Sequence, residues 1–511
     1  MNPLDMMVAD LNAEYLGIPR LSLMENAGRA LAYEISKINF NINSAQVIIF
    51  TGSGGNGGDG FVATRHLLNM GFKVKLILLT HPLKINSKES LQNWNVLENM
   101  MPYLSDLEIE ICTDSSQIDY KLLGIDELGS DEHILIDAIL GTGIKGAIKE
   151  PFRSAINLIN NSNSPVVSVD VPSGMDPLNG EINDISVKAD YTVSFHTPKT
   201  GLNESASSEI IGELIVCDIG IPKEAEIFLG AGDLLRIKSR DSNAHKGDNG
   251  RLLVVGGSKE YTGAPALASL AALSAGADLV TIICPDSAAI PIKSYSPDLI
   301  VKNLPGDYIN PEMLGTVLEL SKKVDCVLLG CGAGDKEETK IALNLLAKKL
   351  GELKKPMVMD ADALKLVDKE LVKNQENLII TPHRGEFKAF FQKESPNIRF
   401  DFKEKISAFQ SLSQQIKGTT LLKGKLDMIF NGKKFRLNKT GSPGMTVGGT
   451  GDCLAGLVAA LYSQGHSAWD SACLGAFING RAGEMAQNKW GYNFTASKMI
   501  EFLSEAMTYD F

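Results

Sequence analysis

With 511 residues the chain is longer than a single hydrophobic core usually supports, and two large domains fit best. Apolar residues make up 44% and charged residues 22%, a balance that excludes disordered and fibrous chains. The net charge of −11 removes any general attraction for nucleic-acid backbones. Residues 1–19 contain no apolar signal segment, and the seven cysteines are scattered and odd in number, so we expect a cytoplasmic protein with reduced thiols.

In the first half of the chain, β-branched runs alternate with segments of helical periodicity. The predicted strands cover residues 46–50, 74–79, 134–138, 166–171 and 213–217. The predicted helices cover residues 21–38, 61–70 and 87–100. This alternation predicts an α/β domain of Rossmann-like, three-layer architecture with a mostly parallel sheet, spanning residues 1–225.

The second half restarts the same alternation after a polar stretch at residues 238–250. Predicted strands lie at 252–255, 279–284, 324–329 and 357–360, with helices at 264–275 and 337–349. Residues 451–464 and 468–487 are rich in Ala, Gly and Leu and predict closely packed helices. We therefore expect a second three-layer α/β domain, residues 230–511, with a boundary near residue 230 and no sequence repeat shared with the first.

Glycines crowd the loop after the first predicted strand, which reads G-S-G-G-N-G-G-D-G at residues 52–60. A backbone-lined cradle at the carboxyl end of a strand favours an anion. Three of these glycines also fit the dinucleotide fingerprint G-x-G-x-x-G, which requires an acidic residue about 20 positions later. The next strand instead ends in Leu-Thr-His at residues 79–81, so an ordinary Rossmann dehydrogenase is disfavoured.

Two further predicted strands end in polar loops, D-A-I-L-G-T-G at 137–143 and V-D-V-P-S-G at 169–174. Because the carboxyl ends of parallel strands share one sheet edge, the three loops are predicted to meet there. The side chains they offer are Asn56, Asp59, Asp137, Asp170 and Ser173. Oxygen donors of this kind suit a hard cation or proton transfer and not zinc. For any single loop, the alternative that its aspartate only caps a helix stays open.

These loops resemble the NAD(P)H-hydrate epimerases, whose first loop usually has two asparagines before G-G-D-G where this chain has Gly55-Asn56. The resemblance implies that Asp59 and Asp170 are catalytic and bind the substrate. It further implies a potassium ion held by Asn56, Asp137 and Ser173. The implied substrate contacts are Gly55, Asn56, Gly57, Gly58, Asp59, Gly141, Thr142, Gly143, Ile144, Lys145, Gly146, Ala147 and Asp170.

The sharpest signal in the second half is G-G-T-G-D at residues 448–452, which runs into the apolar helix predicted to follow. Backbone amides at the start of a helix can stabilise the negative charge of a transferring phosphoryl group. Asp452 at that turn can accept a proton from an attacking hydroxyl group. The pattern therefore predicts kinase-like chemistry without a Walker lysine.

This turn resembles the anion hole and base of ribokinase-like proteins, a fold class that includes sugar kinases, vitamin kinases and ADP-dependent NAD(P)H-hydrate dehydratases. Four further stretches are similar to the dehydratase branch. They are H-K-G-D-N-G at 245–250, Y-T-G-A-P at 261–265, T-P-H-R-G-E-F at 381–387 and L-K-G-K-L-D at 422–427. The second domain is therefore expected to be a ribokinase-like dehydratase domain.

The resemblance implies that the hydrated nicotinamide nucleotide is contacted by Ala264, Gly332, Gly334, His383 and Asp452. It implies adenine-nucleotide contacts from Lys423, Gly424, Lys425, Leu426, Asp427 and Gly451, with magnesium accompanying ADP. The family loop G-P-G-L-G appears here as G-C-G-A-G at 330–334, so whether Gly332 or Gly334 touches the substrate stays open. Taken alone, His383 could be structural, Lys423 solvated, and Asp427 either a ribose ligand or the end of a turn.

Both resemblances together imply a bifunctional metabolite-repair enzyme, an isomerase and a lyase. It would interconvert the R and S forms of hydrated NADH and NADPH, and dehydrate the S form while ADP becomes AMP and phosphate. One alternative is a vitamin or sugar kinase fused to a nucleotide-binding module; another, disfavoured by the retained aspartates, is an RNA-binding module. We expect small-molecule substrates, no nucleic-acid or membrane partner, and a homo-oligomer.

Overall fold

The computed structural model describes residues 1–38, 46–121, 123, 133–143, 146–204, 208–392, 411, 415–432 and 434–509. The chain forms two compact units, Met1–Lys223 and Glu224–Phe511. Each unit is built on a sheet of its own. The predicted α/β class is confirmed for both.

The sheet of the first unit contains seven parallel strands in the order β3-β2-β1-β4-β5-β6-β7. Their bounds are β1 Gln46–Thr51, β2 Lys73–Leu78, β3 Leu107–Ile111, β4 His133–Ala138, β5 Val166–Val169, β6 Tyr191–Phe195 and β7 Glu213–Cys217. The strand order reverses direction between β1 and β4, where a crevice opens at the carboxyl ends of the strands. The three polar loops follow β1, β4 and β5.

Helices flank this sheet, and one of them brings the glycine-rich loop into place. The α-helices are Pro3–Tyr15, Arg20–Lys37, Gly55–Asn69, Lys88–Met100, Phe152–Asn161 and Ser208–Ile211, with 3-10 turns at Pro82–Lys84, Met101–Tyr103, Ser115–Gln117 and Thr200–Asn203. A Cβ on Gly28 would lie 2.4 Å from the Cβ of Val62, so two helices touch there along their backbones. That contact fixes the helix Gly55–Asn69, which carries Asp59, against its neighbour.

The second unit has a larger mixed sheet with the order β10-β9-β8-β11-β12-β13-β14-β15-β16. Pairing is parallel as far as β14 and antiparallel across β14-β15 and β15-β16. The bounds are β8 Arg251–Val255, β9 Leu279–Pro285, β10 Ile300–Leu304, β11 Cys326–Leu329, β12 Met357–Met359, β13 Leu378–Ile380, β14 Thr419–Leu422, β15 Asp427–Asn431 and β16 Lys434–Asn438. Here the order reverses between β8 and β11.

Small residues let the helices of this unit pack closely, as their composition predicted. The α-helices are Gly263–Ser274, Asp286–Tyr295, Leu314–Ser321, Glu337–Glu352, Asp362–Leu366, Lys369–Val372, Arg384–Phe391, Thr450–Ser463, Ala468–Trp490, Ala496–Ile500 and Leu503–Ala506, with 3-10 turns at Pro311–Met313 and Pro443–Met445. A Cβ on Gly456 would lie 1.9 Å from the carbonyl oxygen of Ala268. The helix that begins beside Asp452 is therefore held directly against its neighbour.

The segment before the second sheet belongs to that sheet's edge. The helix Lys223–Ile227 and the 3-10 turn Ala231–Arg236 precede β8. Phe228 forms a parallel bridge with Leu437 of β16, and the Leu229 amide donates to the Leu437 carbonyl at 2.7 Å. Arg436 in turn donates to Asp233 at 2.8 Å. These contacts place residues 224–236 in the second unit.

The described part of the chain includes no helix that is both long enough and apolar enough to cross a membrane. All seven cysteines are buried free thiols, in agreement with the prediction that none is paired.

Candidate active sites

In the first unit, the loops after β1, β4 and β5 meet as predicted. The side-chain nitrogen of Asn56 donates to the carbonyl of Leu140 at 3.2 Å and to that of Val169 at 2.8 Å. A Cβ on Gly141 would lie 2.5 Å from the side-chain oxygen of Asn56. Asn56 thus connects all three loops. Its side chain lies so close to residue 141 that only a glycine fits at that position.

Asp137 is fully buried at the end of β4 and holds the loop after β5. Its Oδ2 accepts hydrogen bonds from Ser168 Oγ and the Ser173 amide, both at 2.8 Å. Its Oδ1 accepts from Ser173 Oγ at 2.5 Å. Burial raises the pKa of Asp137, and these hydrogen bonds oppose the shift.

A cavity of about 290 Å³ lies beside these loops. It is lined by polar groups from several helices and loops, among them Asp10, Asn56, Asp59, Asp170 and Lys199. The predicted residues Asn56, Asp59 and Asp170 therefore share one site. Asp10 and Lys199 were not predicted from the sequence.

Lys199 and Asp170 form a buried ion pair on the floor of this cavity. Lys199 is 1% exposed and Asp170 8% exposed. The Phe195 amide also donates to Asp170 Oδ1, at 3.2 Å. Asp170 has a φ of 64°, a left-handed conformation that costs a non-glycine residue energy and is common at functional sites. Asp170 is therefore held in a fixed position and charge-paired.

Two further carboxyl groups of the cavity, those of Asp59 and Asp10, have raised pKa values. Burial, together with the charges of Asp170 and Asp10, raises the pKa of Asp59 well above its usual value. Burial also raises the pKa of Asp10 to about 7, although Lys199 and Arg20 oppose the shift. The cavity therefore combines proton-carrying carboxyl groups with one paired carboxylate, an arrangement suited to general acid–base chemistry.

The helix-capping alternative does not describe Asp59, because the helix Gly55–Asn69 begins four residues before it. The helix starts six residues earlier than predicted, inside the glycine-rich sequence. Among the predicted substrate contacts, Ile144 and Lys145 lie outside the described residues. Thr142 lines the cavity.

In the second unit, Asp452 lies in the first turn of the helix Thr450–Ser463, as predicted. The residue before this helix, Gly449, has a φ of 95°, which a glycine adopts without strain. Asp452, Asp360 and Cys331 place one side-chain ligand atom each within 4.8 Å of one another. The helix start, the end of β12 and the loop after β11 therefore meet at Asp452.

Lys423 lies between two buried carboxyl groups. Its Nζ donates to Asp360 Oδ1 at 2.7 Å and lies 3.8 Å from Glu386 Oε2. Asp360 is 2% exposed and Glu386 is 5% exposed. A Cβ on Gly451 would lie 3.4 Å from Lys423 Nζ, so the ammonium group is also next to the start of the Asp452 helix. The positive charge of Lys423 thus lies next to the backbone amides at the start of the helix Thr450–Ser463. Together they favour the binding of an anion.

Burial raises the pKa of Asp452 to about 6, and the nearby Asp360 adds to the shift while Cys331 and Lys423 oppose it. Burial likewise raises the pKa of Glu386, against the attraction of Lys423. A carboxyl group with a pKa near 6 is ionised at neutral pH and still a usable base. The electrostatics therefore favour Asp452 as the proton acceptor of this site.

The remaining predicted substrate contacts lie in the loops after β11 and β13 and at the start of the helix Gly263–Ser274. A Cβ on Gly332 would lie 3.1 Å from the Cβ of Ala264, so these two residues face each other. The Gly334 amide instead donates to Asp362 at 2.9 Å. His383 caps the helix Arg384–Phe391, with its Nδ1 accepting from the amides of residues 385 and 386. The histidine thus has a structural contact, and its ring is more than half exposed.

A second cavity, of about 590 Å³, opens beside Lys423. Lys423, Gly424, Lys425, Asp427 and Gly451 all line it, so five of the six predicted nucleotide contacts share one cavity. Asp427 accepts from the Gly424 amide at 2.9 Å and from Asn438 at 3.0 Å. Burial raises the pKa of Asp427 to about 6.

The fold and the two sites together define a two-domain α/β enzyme. The site of the first unit suits acid–base chemistry, and the site of the second suits phosphoryl transfer. A family model described as YjeF-related protein N-terminus matches residues 20–201, and one described as NAD(P)H-hydrate dehydratase matches residues 252–505. The bifunctional NAD(P)H-hydrate repair enzyme of Methanothermobacter thermautotrophicus is 54% identical over 507 residues, covering 99% of this chain and 95% of the relative. The enzyme of the same description from Pyrobaculum aerophilum is 41% identical, covering 98% and 96%.

The chain therefore belongs to the family of bifunctional NAD(P)H-hydrate repair enzymes. The resemblance drawn from its motifs is confirmed in both halves. The crystal structure of an ADP/ATP-dependent NAD(P)H-hydrate dehydratase from Bacillus subtilis, co-crystallised with ATP and Mg²⁺, matches with 20% identity and a TM-score of 0.45, covering 55% of this chain and 97% of that one.

Proposed function

We propose that the first unit interconverts the R and S epimers of hydrated NADH and NADPH. The second unit would then dehydrate the S epimer to NAD(P)H while ADP is converted to AMP and phosphate. The observation that carries the proposal is the position of Asp452, a half-buried carboxylate at a helix start, within 4.8 Å of Asp360 and adjoining the Lys423 cavity.

The hydroxyl of the hydrate sits on a carbon beside the ring nitrogen, and dehydration needs a better leaving group there because hydroxide is a poor one. Asp452 accepts the hydroxyl proton, and the oxygen attacks the β-phosphorus of ADP, which releases AMP. The nitrogen lone pair then expels phosphate, and a proton leaves the neighbouring ring carbon to form the double bond. Lys423 and the amides near Gly451 stabilise the charge on the transferring phosphoryl group.

The carboxylates of this site fit a magnesium ion that arrives with ADP. Thr381 and Lys423 both donate to Oδ1 of Asp360, so their hydrogen bonds leave its Oδ2 for the metal. Carboxylate oxygens are the ligands that magnesium prefers. When bound, the metal would neutralise charge on the phosphates.

Epimerisation requires a bond at the hydroxyl-bearing carbon to break and re-form on the other face. An acid protonates the hydroxyl group, which leaves as water while the nitrogen lone pair forms an iminium ion, and a base takes a proton from the water that adds to the opposite face. Burial and the neighbouring carboxylates raise the pKa of Asp59 and so favour its protonated form, which suits it to serve as the acid. Asp170, paired with Lys199, serves as the base and binds the hydrate. The loop Gly141–Ala147 would contact the pyrophosphate.

The oxygen cluster of the first unit fits a potassium ion held by Asn56, Asp137 and Ser173. Ser173 Oγ lies 3.1 Å from the Leu140 carbonyl, which also accepts from Asn56. Rotation of the Asn56 amide would exchange its nitrogen for its oxygen and complete a set of oxygen ligands. When bound, the ion would fix the loop that contacts the pyrophosphate.

The test is the recovery of NADPH absorbance from a mixed-epimer hydrate. With the whole chain, ADP and potassium, all of the hydrate should be recovered, with one molecule of AMP formed per NADPH. ATP in place of ADP tests the donor, and sodium in place of potassium should slow only the conversion of the R epimer. Recovery that stops at the S epimer would refute the epimerase assignment, and a stable phosphorylated product would indicate a kinase.

A further inference from the structure

The helix Ala468–Trp490 places an isolated amide at the cavity beside Lys423. The stretch of this helix from Ser471 to Gly480 is buried, and apart from Ser471 and Asn479 it consists of Gly, Cys and apolar residues. Asn479 is 5% exposed and lines the cavity together with the side chains of Pro443 and Leu454. A carboxamide therefore interrupts an otherwise apolar stretch of this helix at the point where the helix reaches the cavity.

The side-chain oxygen of Asn479 is buried and has no hydrogen-bond partner among the described residues. A buried polar atom without a partner destabilises the folded protein, and an apolar residue of the same size would fit this helix without that cost. A polar ligand in the cavity would remove the penalty. The unsatisfied side-chain oxygen of Asn479 thus indicates a ligand with a complementary hydrogen-bonding group.

We infer that Asn479 recognises the base of the nucleotide and selects adenine. Adenine presents an amino donor next to a ring-nitrogen acceptor, and a carboxamide pairs with both at once. The apolar side chains of Pro443 and Leu454 suit the flat faces of a base. The phosphates, by contrast, are drawn to Lys423 and to the helix start at Gly451.

This inference rests on the proposed use of ADP by the second unit. It is tested with the whole chain by comparing ADP with purine riboside 5′-diphosphate, which lacks the amino group. In the wild type, the analogue should have a kcat/KM about 3- to 10-fold lower than that of ADP, because it lacks one hydrogen bond. The change should appear as a higher KM. The variant Asn479→Leu removes both hydrogen bonds, so with ADP it should lose at least this factor in kcat/KM, at unchanged kcat, and it should no longer distinguish ADP from the analogue.

Ser471→Ala is the matched control. The Ser471 hydroxyl lies on the same helix, is also buried without a hydrogen-bond partner in the described part of the chain, and does not line the cavity. It should leave both nucleotides unaffected. A wild type that does not distinguish the two nucleotides overturns the inference without any variant. Equal losses for both nucleotides in Asn479→Leu would show a structural role and also overturn it.

If neither nucleotide supports dehydration, the proposed function fails. Calorimetric binding of the two nucleotides to the wild type and Asn479→Leu then still decides the inference. Tighter binding of ADP than of the analogue, lost in the variant, would support base recognition.

Discussion

The two units bring their loops together in the same way and equip them with different chemistry. In each unit the strand order reverses once, beside β1 in the first unit and beside β8 in the second. A Cβ on Gly52, after β1, would lie 2.0 Å from the carbonyl oxygen of Ile139. A Cβ on Gly256, after β8, would lie 2.3 Å from that of Cys331. In both, a glycine lets neighbouring loops touch above the sheet.

The side chains added to that frame are similar in number but differ in where the acting carboxyl group lies. Both units gather three carboxyl groups around a lysine, and in each unit two of the three have raised pKa values. In the first unit the carboxyl groups line one cavity, whereas in the second the base, Asp452, lies at a helix start. The comparison shows that the parallel sheet determines where a ligand binds, while the loop side chains determine the reaction.

The largest expected effect separates the two sites directly. Asp452→Asn should lower ADP-dependent dehydration of the S epimer by about 100- to 10,000-fold, because an amide cannot take the hydroxyl proton. The shape of the site is nearly unchanged, so ADP should still bind and the melting temperature should change little. Single-turnover NADPH recovery measures the rate, and calorimetry measures ADP binding.

Epimerisation by Asp452→Asn should equal that of the wild type, which makes the first unit an internal control. Retention of more than about a tenth of the dehydration rate would show that the proton goes to another group.

The converse variant, Asp59→Asn, should slow epimerisation by about 100-fold and leave dehydration of the S epimer intact. The amide keeps the size of the side chain but cannot donate the proton that the raised pKa of Asp59 holds in place. Exchange between separated R and S epimers, followed by chromatography, is the measurement. Unchanged exchange would reduce Asp59 to a binding role.

Both sites could be located from the sequence, because strand ends and helix starts are local signals. The convergence of the three loops at Asn56 and the position of Asp452 in the first turn of its helix were both predicted correctly. In the first unit two strands were missed. β3 reads L-E-I-E-I at the sheet edge, where alternating charges weaken the apolar run, and β6 reads Y-T-V-S-F, where hydroxyl residues interrupt the apolar ones.

The missed site residues depend on packing between distant segments. Lys199 follows its partner Asp170 by 29 residues, and no spacing indicates that the pair is buried. Asp10 lies on the helix Pro3–Tyr15, which lacks a clear apolar stripe and was not predicted. Asp360 is different, since it ends the predicted strand 357–360, and the strand-end argument used in the first unit would have found it.

The pH dependence of dehydration is a smaller effect. It tests whether Asp452 is the base of the second site. Asp452 acts as a base only when deprotonated, and its pKa is raised to about 6. The rate should therefore be constant above pH 7 and fall by about tenfold for each pH unit below 6. Asp360→Asn removes a charge that raises this pKa, so its acid limb should move to lower pH. An unmoved limb would assign the titration to another group.

The smallest expected effect is that of separating the units, because each has its own sheet and its own site. A fragment of residues 224–511 should dehydrate the S epimer within about twofold of the whole chain. A fragment of residues 235–511 lacks Leu229, which donates to Leu437, and Asp233, which accepts from Arg436, so it should melt at a lower temperature. If the longer fragment is folded but inactive, the two reactions do not have separate sites, and the comparison between the units fails.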